Sequence, residues 1–331
     1  MSVAVCLVTH NSAPDLAECM AAIAALHPRP SELALVDSGS DDGSLEAARR
    51  AAPPGLPASF AGHAVNIGFA AGMNAAIAAT RAPYVLTLNA DARPRPDYLG
   101  RLLARLEAHP RLRVAAVTGR LLRPAPPPGG GPRRLDACGM RLTASWRHLD
   151  RGSGEPDRGQ WALPERVFGA TGAASLFRRE ALLDAAVDGE VFDPRFHSFR
   201  EDAELCFRLR ERGWEVLYEP AAVAEHRRFN LPERRSAMPP GVNFHSLKNR
   251  YLLRIYHQTG RNFLRTLLPA LGRDLAALAW VLAAERSSLG AYGWLLRHRG
   301  ELLARRRAIQ RRRTLPAAEL DAWFGRAGAP P

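Results

Sequence analysis

From the N-terminus to about residue 120, short apolar and β-branched runs alternate with stretches whose apolar residues recur at helical spacing. The pattern predicts strands over 3–9, 32–36, 84–88 and 114–118, and helices over 13–26, 44–51, 70–80 and 97–108. Such alternation is the pattern of a parallel sheet flanked by helices. Three predicted strands end in polar clusters: Thr9-His10-Asn11, Asp37-Ser38-Gly39-Ser40-Asp41 and Asn89-Ala90-Asp91. Ligands of open α/β sheets bind beyond the carboxyl ends of the strands, so these clusters are expected to share one crevice.

Farther on, residues 124–132 are Pro/Gly punctuation and read as a loop. A β-like run over 135–142, a loop over 152–160 and an apolar strand over 173–177 follow. Residues 200–212 predict a helix ended by Gly213, with Glu201 and Asp202 in the first turn, where the helix dipole favours negative charge. In 246–257, Leu247, Tyr251, Leu252 and Ile255 share one helical side, and Lys248, Arg250 and Arg254 are expected largely elsewhere. Residues 262–284 add Phe263, Leu267, Leu268, Leu271, Leu275, Leu278 and Trp280.

Charge sharpens this picture. The 331 residues hold 46 basic and 33 acidic side chains, a net +13, and Lys248 is the only lysine. Residues 243–313 contain 15 basic and 3 acidic residues, nearly the whole excess, and they include Arg305-Arg306-Arg307 and Arg311-Arg312-Arg313. A basic segment attracts phosphate, on an anionic membrane or on nucleic acid. No nucleic-acid-binding module and no aromatic interleaving with the arginines is visible, which disfavours nucleic acid. An amphipathic basic helix in the headgroup zone fits better, and an ordinary helical subdomain packed on the rest of the chain is the competing reading. The longest apolar run, 275–284, is bounded by Arg273-Asp274 and Glu285-Arg286 and falls short of the roughly 20 residues a spanning helix needs. No signal peptide is read at the N-terminus, and four scattered cysteines argue against a disulfide or zinc framework.

The candidate chemistry lies in the strand-end clusters. Asp37 can accept hydrogen bonds from a base or ribose, although Asp, Ser and Gly are also what any strand-to-helix turn uses. Asn89 and Asp91 place two oxygen-bearing side chains two positions apart, as a hard divalent cation or a simple turn would want. In Asn66 to Asn74, Gly68 and Gly72 at a helix start permit close backbone approach to an anion, or close packing on the sheet. No GxGxxG follows the first strand, which disfavours a dinucleotide dehydrogenase.

In order, Val8-Thr9-His10-Asn11, Val36 to Ser44, Asn66 to Asn74, Leu88-Asn89-Ala90-Asp91, Phe168 to Ala174, Phe192-Asp193, Glu201 to Arg208 and Glu225-His226-Arg227 resemble the family 2 glycosyltransferases, most closely the bacterial rhamnosyltransferase-like members. The resemblance covers roughly residues 2–257; each motif is weak, and the ordered set is specific. It implies an α/β GT-A fold, a mixed sheet flanked by helices, with residues 1–242 as the catalytic domain (1–122 the nucleotide-sugar half, 135–242 the acceptor half) and 243–331 as a basic amphipathic helical extension. It also implies that Thr9, Asn11, Asp37, Ser38, Gly39, Asn66, Gly68, Gly72, Asn74 and Asn89 hold the nucleotide-sugar, that Asp91 and His226 contact Mg²⁺ or Mn²⁺, and that Asp202 is the catalytic base, with Glu201 second. His197, Arg200 and Glu204 depart from the residues common among relatives, which leaves the acceptor open.

The chemistry asks for the same groups. Displacing a nucleoside diphosphate from an anomeric carbon develops charge that a cation can stabilise, while a carboxylate takes the proton of the acceptor hydroxyl. One base without a covalent intermediate predicts inversion. The expectation is transfer of a sugar, rhamnose from dTDP-rhamnose, to a cell-surface glycan or its polyprenyl-linked precursor, by a cytoplasmic protein peripheral to the inner face of the cell membrane. Transfer from UDP-galactofuranose or another UDP-sugar is the alternative donor reading. A catalytically weak GT-A-shaped membrane or nucleic-acid binding protein is the alternative of another class.

Overall fold

The structure is a computed structural model that describes residues 1–127, 129–228 and 239–325. Pro128 of the predicted 124–132 loop, the end of the predicted acceptor half at 229–238, and residues 326–331 of the extension lie outside the described residues.

The N-terminal half alternates as its pattern predicts: β1 (Val3–Thr9), α1 (Ala13–Ala24), β2 (Glu32–Ser38), α2 (Ser44–Ala51), β3 (Ala58–His63), α3 (Gly68–Ala78), β4 (Tyr84–Asn89), β5 (Ala92–Pro94), α4 (Tyr98–Glu107) and β6 (Val114–Leu122). Next come β7 (Leu135–Ala137), β8 (Met140–Leu142), β9 (His148–Asp150), β10 (Glu165–Arg166), β11 (Ala174–Arg178), α5 (Arg179–Ala185), α6 (Glu201–Glu211) and β12 (Glu215–His226). The C-terminal part is helical: α7 (Pro240–His257), α8 (Gly260–Ala284), α9 (Gly290–Arg297), α10 (Arg299–Arg311) and α11 (Ala317–Asp321).

The main sheet runs β10-β12-β6-β11-β4-β1-β2-β3, with β5 on β12 and β7 on β6. Strands β3, β2, β1 and β4 are mutually parallel, and β11 enters antiparallel between β4 and β6. Central β1 alternates its side chains between two cores: Val3, Val5 and Leu7 join Leu16, Met20, Leu99 and Leu102 of α1 and α4. Ala4 and Cys6 join Met73 and Ile77 of α3 and Leu182 and Leu205 of α5 and α6 on the other face. Burial on both sides explains the nearly unbroken apolar run in β1.

Two strands have no clear sequence pattern. Edge strand β3 is largely exposed and carries Gly62, so neither apolar alternation nor β propensity marks it. Strand β12 pairs in parallel with β6 over Glu215–Glu219 and again over Val223–Glu225, with a register shift between them that holds Pro220. The bulge takes up the residue that cannot donate to the ladder, and the interruption hides a twelve-residue strand.

The C-terminal helices pack on the second half of the sheet domain. Leu252, Tyr256, Leu302 and Ile309 share a core with Trp146, Phe168, Phe196 and Phe207. Many of the basic side chains expected on an outer face are spent at this junction. Lys248 and Arg250 are buried on α7, and Arg305 on α10 pairs with Asp188 at 3.0 Å and Glu190 at 3.2 Å. Arg306 donates to the carbonyls of Ile255 and Gln258, both at 2.6 Å. The apolar run expected to be bounded at Arg273-Asp274 lies within a longer helix: α8 runs 25 residues straight through that pair. By length and composition alone it is apolar enough to cross a bilayer.

Candidate active site

Adjacent strands bring the polar clusters together as the topology requires. Thr9 pairs in register with Asp37, and Val8 with Asn89, so the ends of β2, β1 and β4 lie side by side. The Thr9 hydroxyl donates to Asp37 Oδ1 at 2.7 Å, and the Ser40 hydroxyl and backbone N–H also donate to this carboxylate. Ser38 is the staple of the next loop. Its hydroxyl donates to Asn66 Oδ1 at 3.0 Å and accepts from the N–H groups of Ile67 and Gly68. Asn11, at φ 51°, accepts from the Asp41 N–H.

Glycine is required twice here. Gly39 has φ 66° and Gly68 φ 82°; a Cβ on Gly39 would run into the backbone of Val65, and one on Gly68 would sit 2.7 Å from the His197 carbonyl. Thr9, Asn11, Asp37, Ser38, Gly39, Asn66 and Gly68 thus form one hydrogen-bonded lip. Gly72 and Asn74 stand apart from it. Gly72 lets α3 settle on Val8, and the Asn74 amide is engaged on both sides with the Phe192 backbone, at 2.7 and 2.8 Å.

Beyond β4, Asp91 faces the end of β12. Its Oδ1 lies 3.2 Å from His226 Nε2, and its Oδ2 accepts the Arg228 N–H at 3.0 Å. Asn89 Nδ2 is 3.4 Å from the same imidazole nitrogen. His226 Nδ1 is held at 2.7 Å by Asp136 on β7. Arg228 then links Asp136 at 3.2 Å to Asp150 at 2.7 Å. Burial opposes charge on His226, but the hydrogen bonds and charges of Asp136 and Asp91 outweigh it and raise its pKa to about 9. Burial likewise opposes ionisation of Asp91, and the His226 partner overcomes it, holding the carboxylate below its usual pKa.

Asp202 approaches the end of β4 from α6. The N–H of Asn89 donates to the Ala173 carbonyl, which sets Gly172 beside β4, and the Gly172 N–H donates to Asp202 Oδ2 at 3.0 Å. Burial raises the Asp202 pKa to about 6, against the Gly172 hydrogen bond. Glu201 is more deeply buried, one of its carboxylate oxygens lacks a hydrogen bond, and desolvation with the neighbouring Asp202 charge pushes its pKa well up. Glu204 is not a rival base. It is buried against Arg208 and His257, which hold its pKa down to about 2 against the cost of burial.

The segment leading into α6 is strained. His197, Phe199 and Arg200 all have positive φ, at 61°, 72° and 74°. Asn249 of α7, fully buried, donates through Nδ2 to the carbonyls of Phe196, Ser198 and Phe199 at 2.7 to 2.8 Å. Sequence reasoning passed over Asn249, Asp136, Asp150 and Arg228. Asp136, an acid inside an apolar β-like run, was the visible signal; nothing local marks the others.

The sequence matches a known family. Residues 4–184, more than half of the chain, match the model of Glycosyl transferase family 2. The chain belongs to that family. Over 244 residues it is 28% identical to an N-acetylglucosaminyl-diphospho-decaprenol L-rhamnosyltransferase of Mycobacterium tuberculosis, covering 66% of this chain and 74% of the relative. Among solved structures it resembles the Staphylococcus aureus TarS 1-349 complex with UDP-GlcNAc, with TM-score 0.55 and 15% identity over 94% of this chain and 91% of that one. It also resembles the mannosyltransferase PcManGT of Pyrobaculum calidifontis in complex with GDP-Man and Mn²⁺, with TM-score 0.51 and 19% identity over 97% and 87%. The mixed sheet of this family 2 glycosyltransferase is therefore a GT-A fold.

The residues around Asp91 suit a divalent cation. Asp91 Oδ1 and His226 Nε2 are neighbours, and Asp136 on Nδ1 orients the ring; with the His226 pKa raised to about 9, a cation here would take the place of the Nε2 proton. Among the described residues no three His, Cys, Asp or Glu side chains group as a metal site, so a cation here would complete its shell with phosphate oxygens and water.

Proposed function

We propose that this glycosyltransferase moves a sugar, with rhamnose from dTDP-rhamnose as the favoured donor, onto a polyprenyl-diphosphate-linked glycan acceptor at a membrane surface, with inversion and with a Mg²⁺ or Mn²⁺ ion. The observation that supports the reading is that Asp37 and Asp91 stand at or just past the neighbouring ends of β2 and β4, while Asp202 accepts from Gly172 beside Asn89. The rhamnosyl and polyprenyl parts are supported by the mycobacterial relative, whose name specifies both. A UDP-sugar donor is the second reading, favoured by the UDP-GlcNAc complex of TarS.

In this reading Asp37 receives the base or ribose, with Thr9, Asn11 and Ser38 shaping the lip, and Asn66 and Gly68 approach the phosphates. Asp91 and His226 hold the cation, and Asn89 supports them. The chemistry supplied by such a cation is neutralisation of the charge that develops on the leaving diphosphate. Asp202 takes the proton of the acceptor hydroxyl as that oxygen bonds to the anomeric carbon. The bond from that carbon to the diphosphate breaks, and its electron pair leaves with the nucleotide. With no enzyme nucleophile used, the anomeric centre inverts.

The test is a donor panel. Purified protein is incubated with a short-chain polyprenyl-diphosphate acceptor bearing N-acetylglucosamine, Mn²⁺ or Mg²⁺, and dTDP-rhamnose or UDP-sugars. Transfer from dTDP-rhamnose that EDTA abolishes supports the reading. Transfer only from UDP-galactofuranose or another UDP-sugar overturns the donor assignment, and undiminished transfer in EDTA overturns the cation.

A further inference from the structure

Helix α8 is amphipathic with its polarity turned inside out. The side facing the protein carries Asn262, Thr266, Ala270, Asp274, Ala277 and Val281 at buried or half-buried positions. The polar groups among them are engaged there. Asn262 shares a capping box with Thr259, the Thr266 hydroxyl accepts from Trp146 Nε1 at 3.0 Å, and Asp274 pairs with Arg250 and Arg254 of α7. The opposite side carries Leu264, Leu268, Leu271, Leu275, Leu278 and Leu282, between 39% and 78% exposed. Their 4-3-4-3-4 spacing puts all six within an arc of about 80° on a straight helix. A helix that packs its small and polar residues inward and shows its leucines outward has the pattern of a surface made for an apolar medium.

We propose that this leucine face of α8 docks on an anionic lipid bilayer, with the helix lying in the plane of the headgroup and acyl boundary. Charge selects this occupant. The exposed charged side chains of α8 are Arg261, Arg265 and Arg273; its one acidic residue, Asp274, is turned inward and paired. Although several basic side chains of residues 243–313 are buried, the exposed charged residues of this stretch are eight arginines and one acid, Glu301. A second copy of the same face would set like charges together, whereas anionic headgroups complement them. Packing selects the orientation. To cross the bilayer, α8 would have to pull Asp274 from two arginines and Thr266 from Trp146, contacts that an in-plane helix keeps.

The inference rests on the lipid-linked acceptor reading and gives it a geometry. Helix α7 holds α8 through Arg250 and Arg254, and the same helix holds the segment before Asp202 through Asn249. One helix therefore joins the lipid-facing surface to the catalytic segment.

The test is flotation of the full-length protein with vesicles of phosphatidylcholine and phosphatidylglycerol, against phosphatidylcholine alone, at low and high salt. Wild type is expected to float with the anionic vesicles, less so at high salt. The variant Leu264→Gln/Leu268→Gln/Leu275→Gln is expected to bind at least about tenfold more weakly, with unchanged thermal unfolding and nucleoside diphosphate binding; Leu268→Gln alone shifts binding in the same direction. The inference is overturned if wild type ignores both vesicle types or if the triple variant floats as well as wild type. It is also overturned if the leucines instead hold a concentration-dependent dimer that the triple variant dissociates. Transfer to the short-chain acceptor without vesicles keeps the two readings apart. Failed flotation with intact transfer sinks only the docking face, and failed transfer with intact flotation sinks only the proposed reaction.

Discussion

Asn249→Ala removes one buried amide and is expected to slow catalysis more than it destabilises the fold. Its Nδ2 serves the carbonyls of Phe196, Ser198 and Phe199, in a segment where His197, Phe199 and Arg200 have positive φ. Left-handed or otherwise strained residues of this kind cost about 1–3 kcal/mol each, so the segment keeps its shape only while something over-determines it. Losing the amide leaves Phe196 O, on a buried residue, short of a donor, while water can reach the half-buried Ser198 and Phe199. The stability cost is then about 1–3 kcal/mol, below the roughly 5–15 kcal/mol of typical native stability, so the variant is expected to fold. The segment ends at Glu201 and Asp202, however, and a displacement of the base by an ångström costs about 10² in rate. The assay is steady-state kinetics with both substrates varied, beside thermal unfolding. The expected result is a large fall in kcat with a smaller change in donor KM, because the Asn249 amide bonds the segment before Asp202 and not Thr9, Asp37 or Ser38, the lip meeting that segment only through Gly68 and the start of α3. A folded variant whose kcat stays within about threefold of wild type would refute the bracing argument.

Three further outcomes follow from the same geometry. With the Asp202 pKa at about 6 and the carboxylate as the working form, transfer should rise with pH through about 6 and level off above it; a flat profile from pH 5 to 8 with chemistry rate-limiting contradicts that role. Asp136→Asn should weaken Mn²⁺ binding in the presence of a nucleoside diphosphate by about 10 to 100-fold, read by titration calorimetry, because His226 loses the carboxylate that orients it. An unchanged affinity would remove Asp136 from the site. Glu204→Gln should cost about 3–5 kcal/mol in denaturant unfolding, since it leaves Arg208 buried without its carboxylate, and folded enzyme should keep its activity.

The nucleotide-side architecture was legible because it is local. Strand β1 reads directly from its apolar run, and the polar ends of β1, β2 and β4 announce the crevice before any pairing is known. Strand β12 was not legible, since Pro220 and three glutamates break its pattern and only the partner strand β6 shows where the bulge falls. The same holds for Asp136, Asp150 and Arg228, which come from separate parts of the chain and meet only through β7, β9 and the end of β12. The C-terminal arginines misled for a related reason. Composition marked them as an outward charge, yet Arg250 and Arg305 find carboxylates 24 and 117 residues away in sequence. Helix α8 showed its leucines in the sequence, but which side faces the protein depends on Trp146 and α7.

The account stands on Asp91 and Asp202 serving one bound sugar nucleotide in two different ways. Calorimetric titration of nucleoside diphosphate with Mn²⁺, paired with single-turnover transfer, measures this directly on Asp91→Asn and Asp202→Asn. The account predicts that Asp91→Asn loses cation-dependent nucleotide affinity, and that Asp202→Asn binds as wild type while transfer falls by about 10² to 10⁴. Undiminished cation-dependent binding in Asp91→Asn, or transfer surviving in Asp202→Asn, would contradict it.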